Sequence, residues 1–162
     1  MIAQYVITEI TGDMLEKSKA LQLIGDVFEE FVAYRFDAEG VNEFRNYIEY
    51  DSIKRMLDNS EMIMSGCFHY DKIIGVIAVK PPGRISLLFV DKRYHRQGVA
   101  DALYRKIVEH CSKNDACSEI TVHSSLYAVE AYKRLGFETT DTEQEQKGIR
   151  FVPMKHEFRR HF

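Results

Sequence analysis

The most regular apolar pattern in the chain begins at Val99, where Val99, Leu103, Ile107, Val108 and Cys111 fall on one stripe. Their steps of three and four residues predict a helix over 98–112. Before it runs Ile85 to Val90, apolar but for Ser86, which predicts a buried strand; the basic stretch Lys92 to Gln97 joins the two. Gly98 stands at the helix entry. A strand, a basic loop and a glycine at a helix start make an anion site. First-turn N–H groups have no intrahelical acceptor, the helix dipole adds roughly half a positive charge, and glycine lets a ligand approach the backbone. The pattern predicts a ligand bearing phosphates.

Around this segment the alternation of apolar and polar positions predicts further elements. Ile2 to Thr8 suits a first strand. From Asp13 to about Tyr34, Leu15, Leu21, Leu23, Ile24, Val27, Phe28, Phe31 and Val32 recur at helical spacing. Gly40 breaks that pattern, and a second helix is expected from Val41 to Leu57. Two strands, Met62 to Tyr70 and Lys72 to Lys80, turn at Tyr70-Asp71-Lys72, and Pro81-Pro82-Gly83 marks another tight turn. Glu119 to His123 reads as a short strand. Ser124 or Ser125 caps a helix ending near Leu135, with Gly136 at its C-terminal position. Phe137 onward and Gly148 to Phe158 read as two final strands around a polar turn. The order β-α-α-β-β-β-α-β-α-β-β predicts an α+β, three-layer architecture: one mixed sheet of about seven strands with helices on both faces.

Composition narrows the function. At 162 residues the chain is expected to form a single domain spanning 1–162. A formal net charge of −3 gives no support for a nucleic-acid partner, so any anion site is local. No apolar run approaches the roughly 20 residues that cross a bilayer, and the first residues lack the blocks of a signal peptide, so a cytoplasmic protein without a membrane partner is expected. The three cysteines match neither a disulfide framework nor a zinc site, and no metal is expected. Cys111 lies on the apolar helix face, as core. A nucleotide-binding P-loop is excluded, because no Gly-x-x-x-x-Gly-Lys-Ser/Thr occurs.

Two segments carry a family resemblance. His95-Arg96-Gln97-Gly98-Val99-Ala100 resembles the Gln/Arg-x-x-Gly-x-Gly/Ala signature of the GNAT N-acetyltransferases, between the fourth strand and third helix. Ala128-Val-Glu-Ala-Tyr132-Lys-Arg-Leu-Gly136-Phe137 resembles that family's Ala-containing helix ending in Tyr-x-x-x-Gly-Phe. The resemblance implies acetyl-CoA as co-substrate, with its pyrophosphate on the amides of Arg96, Gln97, Gly98, Val99, Ala100 and Asp101. It implies a pantetheine arm along Leu88, Phe89 and Val90, paired to the main chain of Leu88 and Val90. Ala128 and Ser125 fall on the CoA side; the Ser125 hydroxyl either caps its helix or bonds to pantetheine. Tyr132 becomes the general acid for the departing thiolate, or orients CoA. Lys92, Arg93 and Arg96 either reach phosphates or are solvated.

Two departures stand out. His95 replaces the usual glutamine or arginine, and as a cofactor-binding residue its imidazole still donates one N–H to a phosphate. The fourth strand also carries no carboxylate, where many members place a glutamate as base. His123 is the first candidate to accept the amine's proton, its rival role being to orient pantetheine or the Ser124-Ser125 turn; Glu130 and His69 are weaker candidates. For the acceptor, Glu30, Tyr34, Asp37 and Glu39 either cradle a cationic amine or form a solvated acidic helix face. Arg150 pairs with an acceptor carboxylate or with Glu138. The implied reaction is direct acetyl transfer to a primary amine of a small molecule or peptide in a ternary complex. The alternative is a non-catalytic acyl-CoA-binding or regulatory module. A homodimer is a fold-level expectation.

Overall fold

The computed structural model describes residues 4–113 and 117–158. Eight strands form the sheet: β1 (Tyr5–Glu9), β2 (Ile63–His69), β3 (Lys72–Lys80), β4 (Arg84–Val90), β5 (Glu119–Ser124), β6 (Glu138–Thr139), β7 (Gln144–Gln146) and β8 (Ile149–Glu157). Their order is β1-β2-β3-β4-β5-β8-β6, with β7 paired to β8. The polar turn before Gly148 thus contributes a short strand of its own, making eight strands where about seven were expected. Ile2, placed in the first strand by its pattern, lies outside the described residues.

The two expected N-terminal helices are each divided. Lys19 adopts φ 65° and separates α1 (Leu15–Ser18) from α2 (Ala20–Phe31). Beside it the Ser18 hydroxyl donates to the Leu15 carbonyl at 2.9 Å and accepts from the Ala20 amide at 3.2 Å, offering the backbone an alternative to the helical ladder. A 3-10 turn, Ala33–Arg35, follows α2. The second predicted helix is α3 (Ala38–Tyr47) and α4 (Tyr50–Asp58), parted where Glu49 turns to extended backbone.

Gly40 does not break a helix but lies in the first turn of α3. Asp37 caps that turn by accepting from the Gly40 amide at 3.1 Å. A Cβ on Gly40 would collide with the Gly148 carbonyl, and one on Gly148 with the Asp37 carboxylate. This close approach seats α3 on the turn between β7 and β8.

On one face of the sheet, α5 (Val99–Lys113) and α6 (Val129–Arg134) bury Val99, Leu103, Ile107, Cys111 and Tyr132. On the other, α2 and α4 bury Leu23, Ile24, Val27, Ile53 and Met56. Strand β3 feeds both cores: Ile74, Ile77 and Val79 join the first, Ile73, Val76 and Ala78 the second. A fully buried side chain of this size contributes about 1.5–3 kcal/mol, so β3 anchors both layers. Among the described residues no helix is long and apolar enough to cross a membrane.

Candidate active site

The one parallel pair in the described sheet is β4 with β5, and it holds for two rungs, Arg84↔Thr121 and Ile85↔Val122. Beyond them the strands part. The cause lies on the other side of β4, where Ala78 faces Leu87 but Val79 faces Ile85, so Ser86 is an extra residue. Such a bulge bends its strand and ends regular pairing. Asp91 donates its amide to the Ile74 carbonyl at 2.8 Å. Ladder bonds alternate along an antiparallel strand, so Phe89 turns its main chain to β3 while Leu88 and Val90 turn theirs toward the gap. The Val90 carbonyl accepts from Nε2 of His95 at 2.8 Å, which fixes the ring as the Nε2–H donor.

The gap leads to the start of α5. Asp91 caps the 3-10 turn Lys92–Tyr94, accepting from the Arg93 amide at 2.9 Å and from its guanidinium at 2.9 Å. Those Arg93 bonds hold the Asp91 carboxyl at about 2, well below the usual carboxylate value. Arg96 (φ 61°) and Gly98 (φ 81°) alternate in hand with Gln97, a backbone form that turns successive amides to one side. Ala102 donates to the Gly98 carbonyl at 3.0 Å, so the amides of Val99, Ala100 and Asp101 precede the helical ladder and have no acceptor within it. A Cβ on Gly98 would meet nothing within 4 Å. The surrounding side chains are engaged. Lys92 pairs with Glu30 at 2.8 Å, Arg93 with Asp91 and Asp101 with Arg105 at 2.9 Å. The Tyr5 hydroxyl donates to the Gln97 side-chain carbonyl at 2.7 Å. The Arg96 guanidinium has no partner among the described residues.

Tyr132 projects from α6 into the core it shares with α5, 5% exposed, its ring centroid 5.3 Å from that of Phe137 in an edge-to-face arrangement. Its hydroxyl makes no hydrogen bond among the described residues, and burial raises its pKa, so the phenol keeps its proton at neutral pH. The Ser125 hydroxyl accepts from the Ala128 amide at 3.2 Å, capping the turn Leu126–Ala128 that leads into α6. Cys111 is buried and accepts no role as a nucleophile: burial and a hydrogen bond with Cys117 push its thiol up to about 12.

His123 lies one residue past the last β4–β5 rung. Its ring stacks on Phe151 (centroids 4.3 Å apart, 15° between planes), and Nη2 of Arg84 donates to Nδ1 at 2.6 Å. Partial burial and the Arg84 charge lower its pKa below the ordinary imidazole value, so the ring is neutral at pH 7. The same Nη2 lies 3.2 Å from Nε2, so Arg84 engages the lone pair of the neutral ring and none is free in this arrangement.

A profile described as an acetyltransferase (GNAT) domain matches residues 32–158 of the chain. The chain belongs to the GNAT acetyltransferase family. An uncharacterized N-acetyltransferase of Escherichia coli K12, YafP, is 36% identical over 73 residues, which span 41% of this chain and 45% of that protein. The match therefore covers less than half of that relative's length. The fold is shared with the PaiA N-acetyltransferase of Thermoplasma acidophilum, solved in complex with coenzyme A (TM-score 0.80, 14% identity, covering 96% of this chain and 99% of that one). It is shared also with a GCN5-related N-acetyltransferase of Rhodopseudomonas palustris (TM-score 0.78, 14% identity, covering 98% of each).

Within this GNAT fold the acceptor candidates from the sequence are scattered. Glu30 is the partner of Lys92. Tyr34 is 68% exposed, and its hydroxyl accepts from Arg35 at 2.8 Å. Asp37 is spent on the α3 cap, and Glu39 is exposed in the same turn. Arg150 pairs with Glu143 at 2.7 Å, not with Glu138. His69 bonds to the Tyr94 hydroxyl at 3.0 Å near the β2–β3 turn, and Glu130 pairs with Lys133 at 3.5 Å on the surface.

The structure adds residues that the sequence pattern did not single out. Phe31, at the end of α2, stacks on Tyr127 with centroids 5.1 Å apart and lies 5.8 Å from His95, forming an aromatic wall beside the mouth of the gap. Arg84 and the Ser86 bulge define the closed end. Nothing in the local sequence of Tyr127 signals this, since its partner is remote in the chain.

Proposed function

We propose that this chain transfers the acetyl group of acetyl-CoA to a primary amine by direct attack in a ternary complex. The observation that carries the reading is the parting of β4 from β5 after two rungs, with the main chain of Leu88 and Val90 turned into the gap and the unpaired first-turn amides of α5 at its end. The residues fit acetyl-CoA. An elongated arm finds main-chain partners, a pyrophosphate finds aimed N–H donors, and the open space above Gly98 leaves room for it. When bound, acetyl-CoA supplies an activated thioester carbonyl.

In this reading Leu88 and Val90 hold the pantetheine amides through their backbones. The amides from Arg96 to Asp101 hold the pyrophosphate with little reorganisation, and Arg96 is the cation left available to a phosphate. His95 releases the Val90 carbonyl when the arm pairs there and keeps its N–H for a phosphate oxygen. Tyr132 holds a proton for the departing sulfur, which suits a phenol that burial keeps neutral. A neutral His123 takes the proton from the amine once its lone pair is released. Orientation of the two reactants supplies much of the rate, as it does wherever a bimolecular step is made effectively unimolecular.

A non-catalytic acyl-CoA-binding module is the second reading. It is favoured by the absence of a carboxylate from β4 and by the engagement of His123 with Arg84. Free-thiol release from acetyl-CoA, measured across a panel of polyamines, amino acids, aminoglycosides and peptides, separates the two. Amine-dependent release supports transfer. Clear CoA binding without release supports the second reading.

A further inference from the structure

We infer that the acceptor carries an anionic group beside its amine, and that Lys80 and Arg84 receive that group at the closed end of the β4–β5 gap. The inference rests on the transferase reading above and names the class of its acceptor.

Lys80 and Arg84 are direct cross-strand partners, brought opposite each other by the Pro81-Pro82-Gly83 hairpin. Directly opposed side chains share a face of a sheet, and like charges so placed repel. Neither cation has an acidic partner among the described residues, although the chain has a net charge of −3. Arg84 donates instead to neutral His123, and Lys80 lies 5.2 Å from the centre of the Tyr47 ring. The Tyr47 hydroxyl is itself buried without a hydrogen-bond partner, the one such side-chain atom among the described residues. Two unneutralised cations thus share one face of the sheet, with the Tyr47 ring beside Lys80.

Its position gives the patch a purpose. The rung Lys80–Arg84 is continuous with Arg84↔Thr121, one of the two rungs that close the gap. It lies on the face away from α5, since Val79, Ile120 and Val122 point into the α5 core. An amine entering from this face reaches the end of the gap with its other end over Arg84. A guanidinium fork and an ammonium satisfy a carboxylate or a phosphate alike. Such an anion also competes with His123 for Arg84 and returns the imidazole lone pair. By contrast the carboxylates first considered for a cationic acceptor are engaged with Lys92 or with the α3 cap, or stand in solvent.

The test pairs anionic amines with uncharged counterparts: glycine, β-alanine and the L-amino acids against their amides, and O-phosphoethanolamine against ethanolamine. Thiol release from acetyl-CoA and calorimetric binding to the CoA-loaded protein are both read, for wild type, Arg84→Gln and Lys80→Gln. The expected result is a preference of at least about tenfold in kcat/KM for one anionic series, falling toward unity in Arg84→Gln through KM, with CoA affinity retained. Preference for carboxylates or for the phosphate identifies which anion is read. Turnover of uncharged amines equal to that of their anionic partners overturns the anion site and leaves the transferase reading standing. Arg84-dependent binding of anionic amines without thiol release overturns the transferase reading and leaves the anion site. Absence of both overturns both.

Discussion

Arg84 and His123 meet diagonally across the β4–β5 pair, Nη2 to Nδ1 at 2.6 Å, so the imidazole nearest the closed end of the gap is tied up as an acceptor. Burial and the adjacent positive charge both disfavour the imidazolium. Replacing Arg84 by Gln removes the second cause and leaves the first. The His123 pKa, followed by NMR titration of its ring protons, is expected to rise in Arg84→Gln while staying below 6.5. The folded state binds fewer protons than the unfolded one between the lowered pKa and 6.5, so this histidine's contribution to stability declines as pH falls through that window. An unchanged His123 titration in the variant would show that Arg84 does not set its state.

Tyr132→Phe removes a hydroxyl that makes no hydrogen bond among the described residues, while keeping the ring against Phe137. Folding stability is expected to change little. Turnover is expected to fall on the order of 10²-fold, the usual worth of a positioned general acid. Full activity in a folded variant would reduce Tyr132 to packing.

Gly98→Val introduces a side chain into the open space above the α5 entry and forces a β-branched residue to φ 81°. Acetyl-CoA affinity, read by calorimetry, is expected to weaken at least about tenfold, since the methyl groups occupy the place of an oxygen and strain the donors. Gly98→Ala separates the two causes: it retains most of the backbone strain with less bulk. Unaltered affinity in both variants would remove the pyrophosphate from this turn.

Asp91 tests the loop that precedes α5. Its folded pKa of about 2 lies below the ordinary 3.8, so its contribution to stability is full above about pH 4 and is lost as pH falls toward 2. Asp91→Asn lacks that titration. The stability gap between wild type and variant, measured by urea unfolding, is therefore expected to narrow on acidification from about pH 5 to pH 3. A gap that stays constant would assign the low pKa no role in holding the turn.

The sequence made α5 legible because its stripe of Val99, Leu103, Ile107 and Cys111 is a local periodicity, and it made β4 legible because the strand is apolar on both faces. The turn that opens α5 followed from Gly98 at their junction. The division of the N-terminal helices was not legible: Lys19 reaches φ 65° and Glu49 turns extended without a glycine or proline to announce either. Gly40 misled for the opposite reason, as its absent side chain serves a contact with Gly148 far along the chain. The Ser86 bulge, which opens the gap, is a register shift between strands and leaves no mark in composition. Lys80, Arg84 and Tyr47 escaped notice because only the folded hairpin and α3 bring them together.

Acetyl transfer is tested most directly by quantifying free thiol and acetylated amine together, with acetyl-CoA and a panel of primary amines, for wild type, Gly98→Val and Tyr132→Phe. The expected result is equal amounts of thiol and acetylated amine from wild type, a raised acetyl-CoA requirement in Gly98→Val, and slow turnover at unchanged acetyl-CoA affinity in Tyr132→Phe. Acetyl-CoA binding with no amine-dependent thiol from any acceptor, or turnover indifferent to both substitutions, would contradict it.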